Sequence, residues 1–161
     1  ASESGKPSSR IVLLKEYDEK GFIFYTNYES EKGNQIENNP YASLNLHWPK
    51  FERQVRIRGK IRKVSREKSE KYFQSRPRLS QISVLASKQS KTLSNRKELE
   101  DTVLSLEKKY EGKEIPIPDY WGGYRLEHKA VEFWQGRRDR LHDRFLYTLH
   151  GTTWQIERLA P

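Results

Sequence analysis

The sequence predicts a single α+β domain of mainly antiparallel β-structure, built on a small closed barrel with peripheral helices. Three observations lead to this fold class. Strand patterns fill the first third of the chain and return at its end, helical patterns are confined to the middle, and 161 residues fit one domain with its own core. Short antiparallel strands around a few helices are typical of this class.

The first third of the chain is predicted to be rich in β-structure. Strand patterns lie over residues 11–14, 22–26, 42–48 and 53–64. Residues 18–21 form a turn, so the first two strands are predicted to make a hairpin. Ser30 is placed to cap a short helix over residues 31–38, which Pro40 ends.

The alternation of residue types is clearest between residues 53 and 64. One face carries Val55, Ile57, Gly59 and Ile61, and the other carries Gln54, Arg56, Arg58, Lys60 and Arg62. Side chains alternate between the two faces of a strand, so this segment is predicted to be a long strand with one solvent-exposed, basic face.

The middle of the chain is predicted to form three helices. The first follows Ser65 and stops at Pro77, the second covers residues 80–87, and the third follows Asn95 and ends at Gly112. The spacing of Tyr72 and Arg76 places them one turn apart on one face of the first helix.

Strand patterns return at the C-terminal end. Pro116 and Pro118 predict an extended linker, and the strands that follow are predicted over residues 124–126, 130–135, 144–149 and 153–158.

Composition restricts the classes of function. The formal net charge of +9 indicates anionic partners, whether nucleic acid, a membrane surface or phosphorylated small molecules. No apolar run is long enough to span a membrane, no signal-peptide pattern is present, and the absence of cysteine fits a cytoplasmic protein. The four histidines lack the spacing of a metal site, so no metal is predicted. With the usual catalytic motifs missing as well, the chemistry is expected to belong to a bound cofactor.

One run near the C-terminus is suited to a planar, anionic ligand. It spans residues 131–144 and places Trp134 in an apolar strand, followed by Arg140, His142 and Arg144. An aromatic ligand can pack against the indole while the other three side chains offer charge and hydrogen-bond donors. The structural alternative is a core strand followed by a solvated basic turn.

This run resembles the C-terminal signature of the pyridoxine (pyridoxamine) 5′-phosphate oxidases, flavoproteins of the FMN-binding split-barrel class. Blocks that resemble the same family, in its order, lie at residues 5–15, 21–27, 53–56, 72–77 and 121–124. The resemblance implies one split-barrel domain over residues 1–161, acting as a homodimer with two flavin sites at the subunit interface. It also implies that the segment preceding Gly5 in full-length members is missing from this sequence.

The resemblance implies FMN as the cofactor. Arg10 and Lys15 match positions that hold the flavin phosphate and ring, and the backbone of Ile11, Val12, Leu13 and Leu14 matches the lining of the isoalloxazine. Further FMN contacts are matched by Tyr25, Thr26, Lys32, Gln54, Gln89, Ser90, Trp134 and Arg144. These residue types suit the task, since cations and hydroxyls bind phosphate and amides bind the polar edge of a flavin.

The resemblance also implies a substrate site and a reaction. Tyr72, Arg76 and Ser80 match the substrate-phosphate site, and Lys15, Arg140, Leu141 and His142 match contacts near the pyridine ring, with Arg140 and His142 as the catalytic residues. The implied reaction oxidises pyridoxine 5′-phosphate or pyridoxamine 5′-phosphate to pyridoxal 5′-phosphate. Dioxygen reoxidises the flavin and gives hydrogen peroxide.

Two places in the sequence depart from the family pattern. Glu31 stands where the family has an arginine, and Ser83 with Val84 stand where it has glycine and alanine. A carboxylate close to a phosphate dianion is unfavourable, so Glu31 is expected to turn away from the phosphate, toward a neighbouring cation.

Two other functions compete with the oxidase. The first is that of a related split-barrel protein, which binds FMN or a deazaflavin and reduces another substrate. The combination of Tyr72, Arg76, Arg140 and His142 argues against this function. The other is a nucleic-acid-binding barrel that uses the basic face of residues 54–62 beside nearby aromatic side chains. The ordered family blocks argue against a nucleic-acid partner.

Overall fold

Seven strands and four helices form the fold in the computed structural model, which describes all 161 residues. The strands are β1 (Glu16–Asp18), β2 (Gly21–Asn27), β3 (Tyr41–Trp48), β4 (Arg53–Lys63), β5 (Trp121–Gln135), β6 (Asp143–His150) and β7 (Thr153–Arg158). The helices are α1 (Glu31–Asn38), α2 (Arg66–Gln74), α3 (Arg78–Ala86) and α4 (Arg96–Tyr110). None of the helices has the length and apolar character needed to cross a membrane.

All seven strands pair antiparallel in one sheet that curls into a half-barrel. The hydrogen-bonded order is β1-β2-β5-β4-β3, with β6 pairing to β5 and β7 to β6. Because β1 and β3 do not pair, the barrel is split, and the closed barrel expected from the strand pattern alone is wrong. The α+β class and the split barrel implied by the resemblance are confirmed.

Strand β5 is the centre of the sheet. Its first half pairs with β2 and its second half with β6 along the same edge, while β4 pairs along the other edge. The two strands predicted over residues 124–126 and 130–135 are therefore one strand. At Lys129 the ladder carries a bulge, since Arg58 pairs with Ala130 whereas Gly59 pairs with His128. The polar residues Glu127, His128 and Lys129 around this bulge interrupt the apolar pattern in the sequence.

The segment over residues 11–14 is not the buried strand that its apolar residues predict. The hairpin forms at the predicted turn, but its first strand is β1, over residues 16–18. Ile11 is 95% exposed and Leu13 is 68% exposed, so both side chains lack a partner within this chain. The segment is held to the sheet by Val12, which packs against the apolar cluster around Phe24, and by Lys15, which donates its backbone N–H to the carbonyl of Ile23 at 2.9 Å.

The predicted starts of α1, α2 and α4 are confirmed by their caps, whereas α3 begins at Arg78, two residues before the predicted helix over residues 80–87. The side chains of Ser30, Ser65 and Asn95 accept hydrogen bonds from the first turns of α1, α2 and α4. Helix α2 ends at Gln74, however, so Arg76 lies beyond the helix rather than on its face. The turn nevertheless continues through Ser75, which keeps helical dihedral angles, and the N–H of Arg76 donates to the carbonyl of Phe73.

Two apolar clusters hold the elements together. The first joins strands β2, β4 and β5 and consists of Phe24, Ile57, Ile61, Tyr124 and Leu126. The second joins the helices to the start of β5 and consists of Phe73, Ile82, Ile115 and Trp121. Gly122 permits the close packing beside Trp121, because a Cβ there would lie 2.1 Å from the hydroxyl of Tyr28. Trp121 is thereby fixed where the helices meet the sheet.

Candidate active site

A cleft of about 540 Å³ lies between the segment over residues 11–15, strand β2 and helices α2 and α3. Many of the residues predicted to bind cofactor or substrate line it, namely Ile11, Val12, Leu13, Lys15, Tyr25, Thr26, Lys32, Tyr72, Arg76, Ser80 and Gln89. They come from five separate parts of the chain. We call this site the helix-side cleft.

Three stacked aromatic rings form one wall of the helix-side cleft. The ring centroids of Tyr25 and Tyr72 lie 3.9 Å apart, and those of Tyr25 and Trp121 lie 5.6 Å apart. The hydroxyl of Tyr25 donates to Glu16 at 3.0 Å, and Glu16 in turn pairs with Lys68 at 2.7 Å. Burial raises the pKa of Tyr25, and the hydrogen bond to Glu16 adds to this, so the phenol stays protonated. The wall presents an apolar face, and the contacts of Tyr25 with Glu16 and of Glu16 with Lys68 hold its first ring in place.

Arg76 places an unsatisfied cation in the same cleft. Its guanidinium carbon lies 5.0 Å from the centroid of the Trp121 ring, an arrangement that favours a cation. Its Nη1 atom is buried and has no hydrogen-bond partner. A buried donor without a partner costs stability, and an anionic ligand in the cleft would remove that cost. Burial also lowers the pKa of Arg76, although an arginine remains charged.

A second cationic group lies around Lys32, at the first turn of α1. The Nζ atom of Lys32 donates to Thr26 Oγ1 at 2.9 Å, to Ser30 Oγ at 3.1 Å and to Gln89 Oε1 at 3.1 Å. Burial lowers the pKa of Lys32, and the positive charge of Arg10 lowers it further. Two cations held close together at a helix N-terminus are suited to a phosphate.

Glu31 contacts Arg10 rather than lining the cleft. Its carboxylate lies 3.7 Å from the Arg10 guanidinium and accepts a hydrogen bond from Gln35 at 3.1 Å. Arg10 also donates to Gln35 at 2.9 Å. This orientation toward a neighbouring cation agrees with what the sequence led us to expect. It also means that a phosphate must share Arg10 with a carboxylate.

The remaining predicted residues form a second site, which we call the strand-end site. Gln54 on β4, Trp134 on β5 and Arg144 on β6 are neighbours, because Gln54 pairs with Trp134 and Trp134 pairs with Arg144. The ring of His142 lies against Trp134, with 4.7 Å between their centroids. The backbone N–H of Arg137 donates to Nδ1 of His142 at 3.1 Å, so a neutral ring carries its hydrogen on Nε2.

The loop that carries Arg140 is strained and exposed. Asp139 and Arg140 have φ angles of 56° and 62°, a left-handed conformation that costs about 1 kcal/mol or more for a residue with a side chain. Leu141 is 70% exposed, and Arg140 is exposed as well. Two salt bridges from Asp143, to Arg137 and Arg158, tie down the base of the loop. Consecutive left-handed residues in an exposed loop are typical of functional positions.

The helix-side cleft and the strand-end site lie at opposite ends of β5. Trp121 and Trp134 are thirteen residues apart on this strand, which at about 3.3 Å per residue is roughly 40 Å of extended chain. Because the sheet curls, the straight-line separation is shorter than this, but none of the strand-end residues lines the helix-side cleft of the same chain. The resemblance implies that the residues of both sites contact one flavin. Within one chain, however, these residues form two separate groups.

Some predicted residues lie outside the helix-side cleft, and some lining residues were not predicted. Arg10, Leu14 and Ser90 do not line it; Arg10 lies in the neighbouring pocket, and Ser90 follows Gln89 in a left-handed conformation with φ of 71°. Lining residues without a predicted role are Asn27, Pro77, Ser83, Val84, Ser87 and Trp121. The Trp121 block was recognised as part of the family pattern, but nothing in its spacing showed that the indole faces the cleft.

Two family models match the chain. The model described as pyridoxamine 5′-phosphate oxidase matches residues 1–110, and the model described as the pyridoxine 5′-phosphate oxidase C-terminal dimerisation region matches residues 121–161. Relatives named pyridoxine/pyridoxamine 5′-phosphate oxidase are similar over almost the whole chain. The protein from Crocosphaera subtropica is 54% identical over 164 residues, covering 100% of this chain and 77% of its own. That from a Cyanothece species is 51% identical over 160 residues, covering 99% and 75%.

Solved structures are similar as well. PhzG from Burkholderia lata 383, solved in complex with tetrahydrophenazine-1-carboxylic acid, has a TM-score of 0.94 at 32% identity and covers 100% of this chain and 79% of its own. A pyridoxamine 5′-phosphate oxidase-related, FMN binding protein from Nostoc punctiforme has a TM-score of 0.77 at 17% identity, covering 99% and 83%. The second likeness concerns the fold alone.

Proposed function

The chain belongs to the pyridoxamine 5′-phosphate oxidase family, and on that premise we propose that it oxidises pyridoxine 5′-phosphate or pyridoxamine 5′-phosphate to pyridoxal 5′-phosphate, with FMN as cofactor and dioxygen as acceptor. It is an oxidoreductase. The nucleic-acid alternative loses its main support, because Arg56 and Arg62 on the basic face are paired with Glu132 and Glu127. The cytoplasmic location expected from the sequence remains a prediction.

The unpartnered guanidinium of Arg76 is the observation that carries the proposal. It lies in the helix-side cleft with Tyr72 and Ser80, so a phosphate monoester there would accept hydrogen bonds from two hydroxyls and one fixed cation. The stacked wall of Tyr25, Tyr72 and Trp121 offers a planar ring an apolar surface. Phosphate binding at one end and packing at the other would orient the substrate.

The residues of the cleft also fit FMN. Lys32 provides a cation for its phosphate inside the cleft, and Arg10, which lies just outside the lining, adds positive charge beside Lys32. Thr26 and Gln89 provide polar groups next to Lys32, and the exposed backbone over residues 11–14 provides unpaired amides for the ring edge. When bound, FMN would supply the redox chemistry, which is acceptance of a hydride from the substrate and transfer of two electrons, with two protons, to dioxygen to give hydrogen peroxide. The protein contributes placement and charge.

The separation of the two sites supports a homodimer with FMN at the subunit interface. The strand-end residues do not line the helix-side cleft of the same chain, whereas in a homodimer a second copy would bring its own strand-end site to that cleft. The match of residues 121–161 to a dimerisation region supports the same arrangement. In it, Arg140, Leu141 and His142 of one copy would contact the substrate held by the other copy.

One reaction tests the proposed function. The protein is mixed with FMN and pyridoxine 5′-phosphate under air, and pyridoxal 5′-phosphate and hydrogen peroxide are followed together. We expect both products in equal amounts. Pyridoxal 5′-phosphate formed without peroxide would rule out dioxygen as the acceptor, and the absence of both products with FMN bound would rule out the substrate.

A pair of variants tests the substrate-phosphate site. Arg76→Lys keeps a positive charge but loses the planar group that stacks on Trp121, so we expect KM for pyridoxine 5′-phosphate to rise about tenfold or more while FMN affinity is unchanged. Arg96→Lys is the matched control, because Arg96 lies on the exposed face of α4, paired only with Glu100. Equal KM values in the two variants would contradict the assignment of Arg76.

A further inference from the structure

Glu132 is the one acidic side chain buried in the fold, with 6% of its surface exposed. It lies on β5, on the same face as Trp134, two residues away. Its Oε1 atom accepts from Nε of Arg144 on β6 at 2.9 Å, and its Oε2 atom pairs with Nη2 of Arg56 on β4. One carboxylate thus joins two arginines from the strands on either side.

The contacts of Arg144 leave part of its guanidinium available to a ligand. Nε is bound by Glu132, and Nη1 donates to the carbonyl of Ala160 at 2.9 Å. Nη2 has no partner within the chain. With two anchors the planar group has a fixed orientation, and the free donors lie on the face that carries Gln54 and Trp134. Arg56 occupies the same face and has no partner other than Glu132.

Burying a carboxylate is costly unless it is paired, and here both oxygens are paired. Burial raises the pKa of Glu132, but the hydrogen bonds from Arg144 and Arg56 lower it by more, so the net shift is downward and the group is ionised at neutral pH. The cluster of two arginines and one carboxylate keeps a net charge of +1. Without Glu132 the two guanidinium groups would repel each other and lose their common anchor.

We propose that Glu132 is a positioning residue for the cofactor, which fixes the guanidinium of Arg144 and brings Arg56 into the strand-end site as a further anion-binding residue. This inference rests on the proposed function, because it takes FMN as the anion. It assigns roles to Glu132 and Arg56, which the sequence analysis did not include among the site residues.

The direction in which Glu132→Gln changes FMN affinity distinguishes a positioning role of Glu132 from a purely electrostatic one. Glu132→Gln removes a negative charge near an anionic ligand, so long-range attraction alone would tighten FMN binding. Loss of the anchor should instead weaken it, and we expect a dissociation constant about tenfold higher at low salt. The measurement is FMN titration by quenching of flavin fluorescence, together with the visible circular dichroism of the bound flavin.

A double-mutant cycle shows whether Glu132 acts through Arg144. In an Arg144→Lys background the Nε–Oε1 contact is already lost, so Glu132→Gln should change FMN affinity by clearly less than in the wild type, leaving only the part that acts through Arg56. An equal effect in both backgrounds would mean that the substitution acts by general disruption, and the proposal would be wrong. Glu127→Gln is the matched control, since it breaks the exposed Arg62 pair between the same two strands, and it should leave FMN affinity unchanged.

Arg56→Gln provides a second test that does not remove the buried acid. The Arg56 side chain is 47% exposed and Glu132 keeps Arg144 as its partner, so folding should be preserved while FMN affinity falls several-fold. Unchanged FMN affinity in both Glu132→Gln and Arg56→Gln would overturn this inference and leave the proposed function intact. A wild-type protein that binds no FMN would overturn both.

Discussion

At the scale of single residues, Glu31 and Arg10 control how strongly a phosphate can be held beside α1. Arg10 lies 3.7 Å from the Glu31 carboxylate, so part of its charge is already neutralised. Glu31→Arg should release Arg10 and add a second cation, and we expect FMN to bind about tenfold more tightly at low salt, a gain of about 1.4 kcal/mol. Fluorescence titration at two ionic strengths measures the change, which should shrink at high salt.

Glu29→Arg is the control for that prediction. It makes the same change of charge two residues earlier, at an exposed side chain with no ion-pair partner. If both variants tighten FMN binding equally, the effect is one of net charge. An unchanged dissociation constant for Glu31→Arg at low salt would show that position 31 does not influence the phosphate site.

Arg140 and His142 are predicted to act on the substrate rather than to hold the cofactor. Arg140→Ala removes an exposed side chain from a loop whose base is tied by Asp143, so the strand-end site should keep its geometry. We expect turnover to fall by about a hundredfold or more while the protein stays yellow with bound flavin. His142→Ala should lower turnover too, with a modest loss of FMN affinity because the imidazole packs on Trp134. Complete loss of flavin in Arg140→Ala would contradict this assignment.

The sequence predicted most of the residues that line the helix-side cleft, because they fall in family blocks with characteristic residue types. It did not predict the Arg56–Glu132 contact, which joins residues 76 positions apart. Such a contact depends on the register of β4 against β5, and a bulge at Lys129 sets that register. Alternation alone placed Arg56 on a solvent-exposed basic face. Arg56 does lie on that exposed face, and the register decides that it also meets a buried carboxylate there.

At the scale of elements, the segment over residues 11–14 is the part of the site most open to change. None of its four amides makes a backbone hydrogen bond, and Ile11 and Leu13 are largely exposed. We expect these amides to exchange with solvent rapidly in the free protein and at least about tenfold more slowly with FMN bound, because the ring edge and the second copy would cover them. Hydrogen exchange followed by mass spectrometry or NMR measures this.

Strand β2 is the internal control for that experiment. Its residues pair with β5 throughout, so their amides should be protected with or without FMN. Protection that appears equally in both segments would indicate a general gain in stability. No change over residues 11–14 would mean that this segment does not line the cofactor.

The apolar residues of this segment explain why its structure was mispredicted. Four consecutive apolar residues are typical of a buried strand, and the sequence alone does not show whether the burying partner is the same chain or a ligand and a second copy. The cap residues of α1, α2 and α4 were predictable for the opposite reason. Capping depends on neighbours within four residues, so the sequence contains all that it requires.

At the scale of the whole molecule, charge and site location favour assembly around an anionic ligand. The chain carries a net charge of +9, and cations face both the helix-side cleft and the strand-end site. Two copies that approach each other bring like charges together, which opposes association in the absence of a ligand. An anion bound between a cleft of one copy and a strand-end site of the other reduces that repulsion. Assembly and cofactor binding should therefore depend on each other.

We expect FMN to stabilise the homodimer for this reason. A ligand that binds only the assembled state stabilises it by about 2.7 kcal/mol per site when its free concentration is a hundred times its dissociation constant. Sedimentation velocity at micromolar protein should show a larger dimer fraction with FMN than without, and raising the salt should reduce the difference. Riboflavin is the matched control ligand, since it keeps the ring but lacks the phosphate, and it should promote the dimer less. A protein that stays monomeric at saturating FMN would contradict a site shared between two copies. In a monomer, the strand-end residues and the helix-side cleft lie at opposite ends of β5, roughly 40 Å apart along the strand.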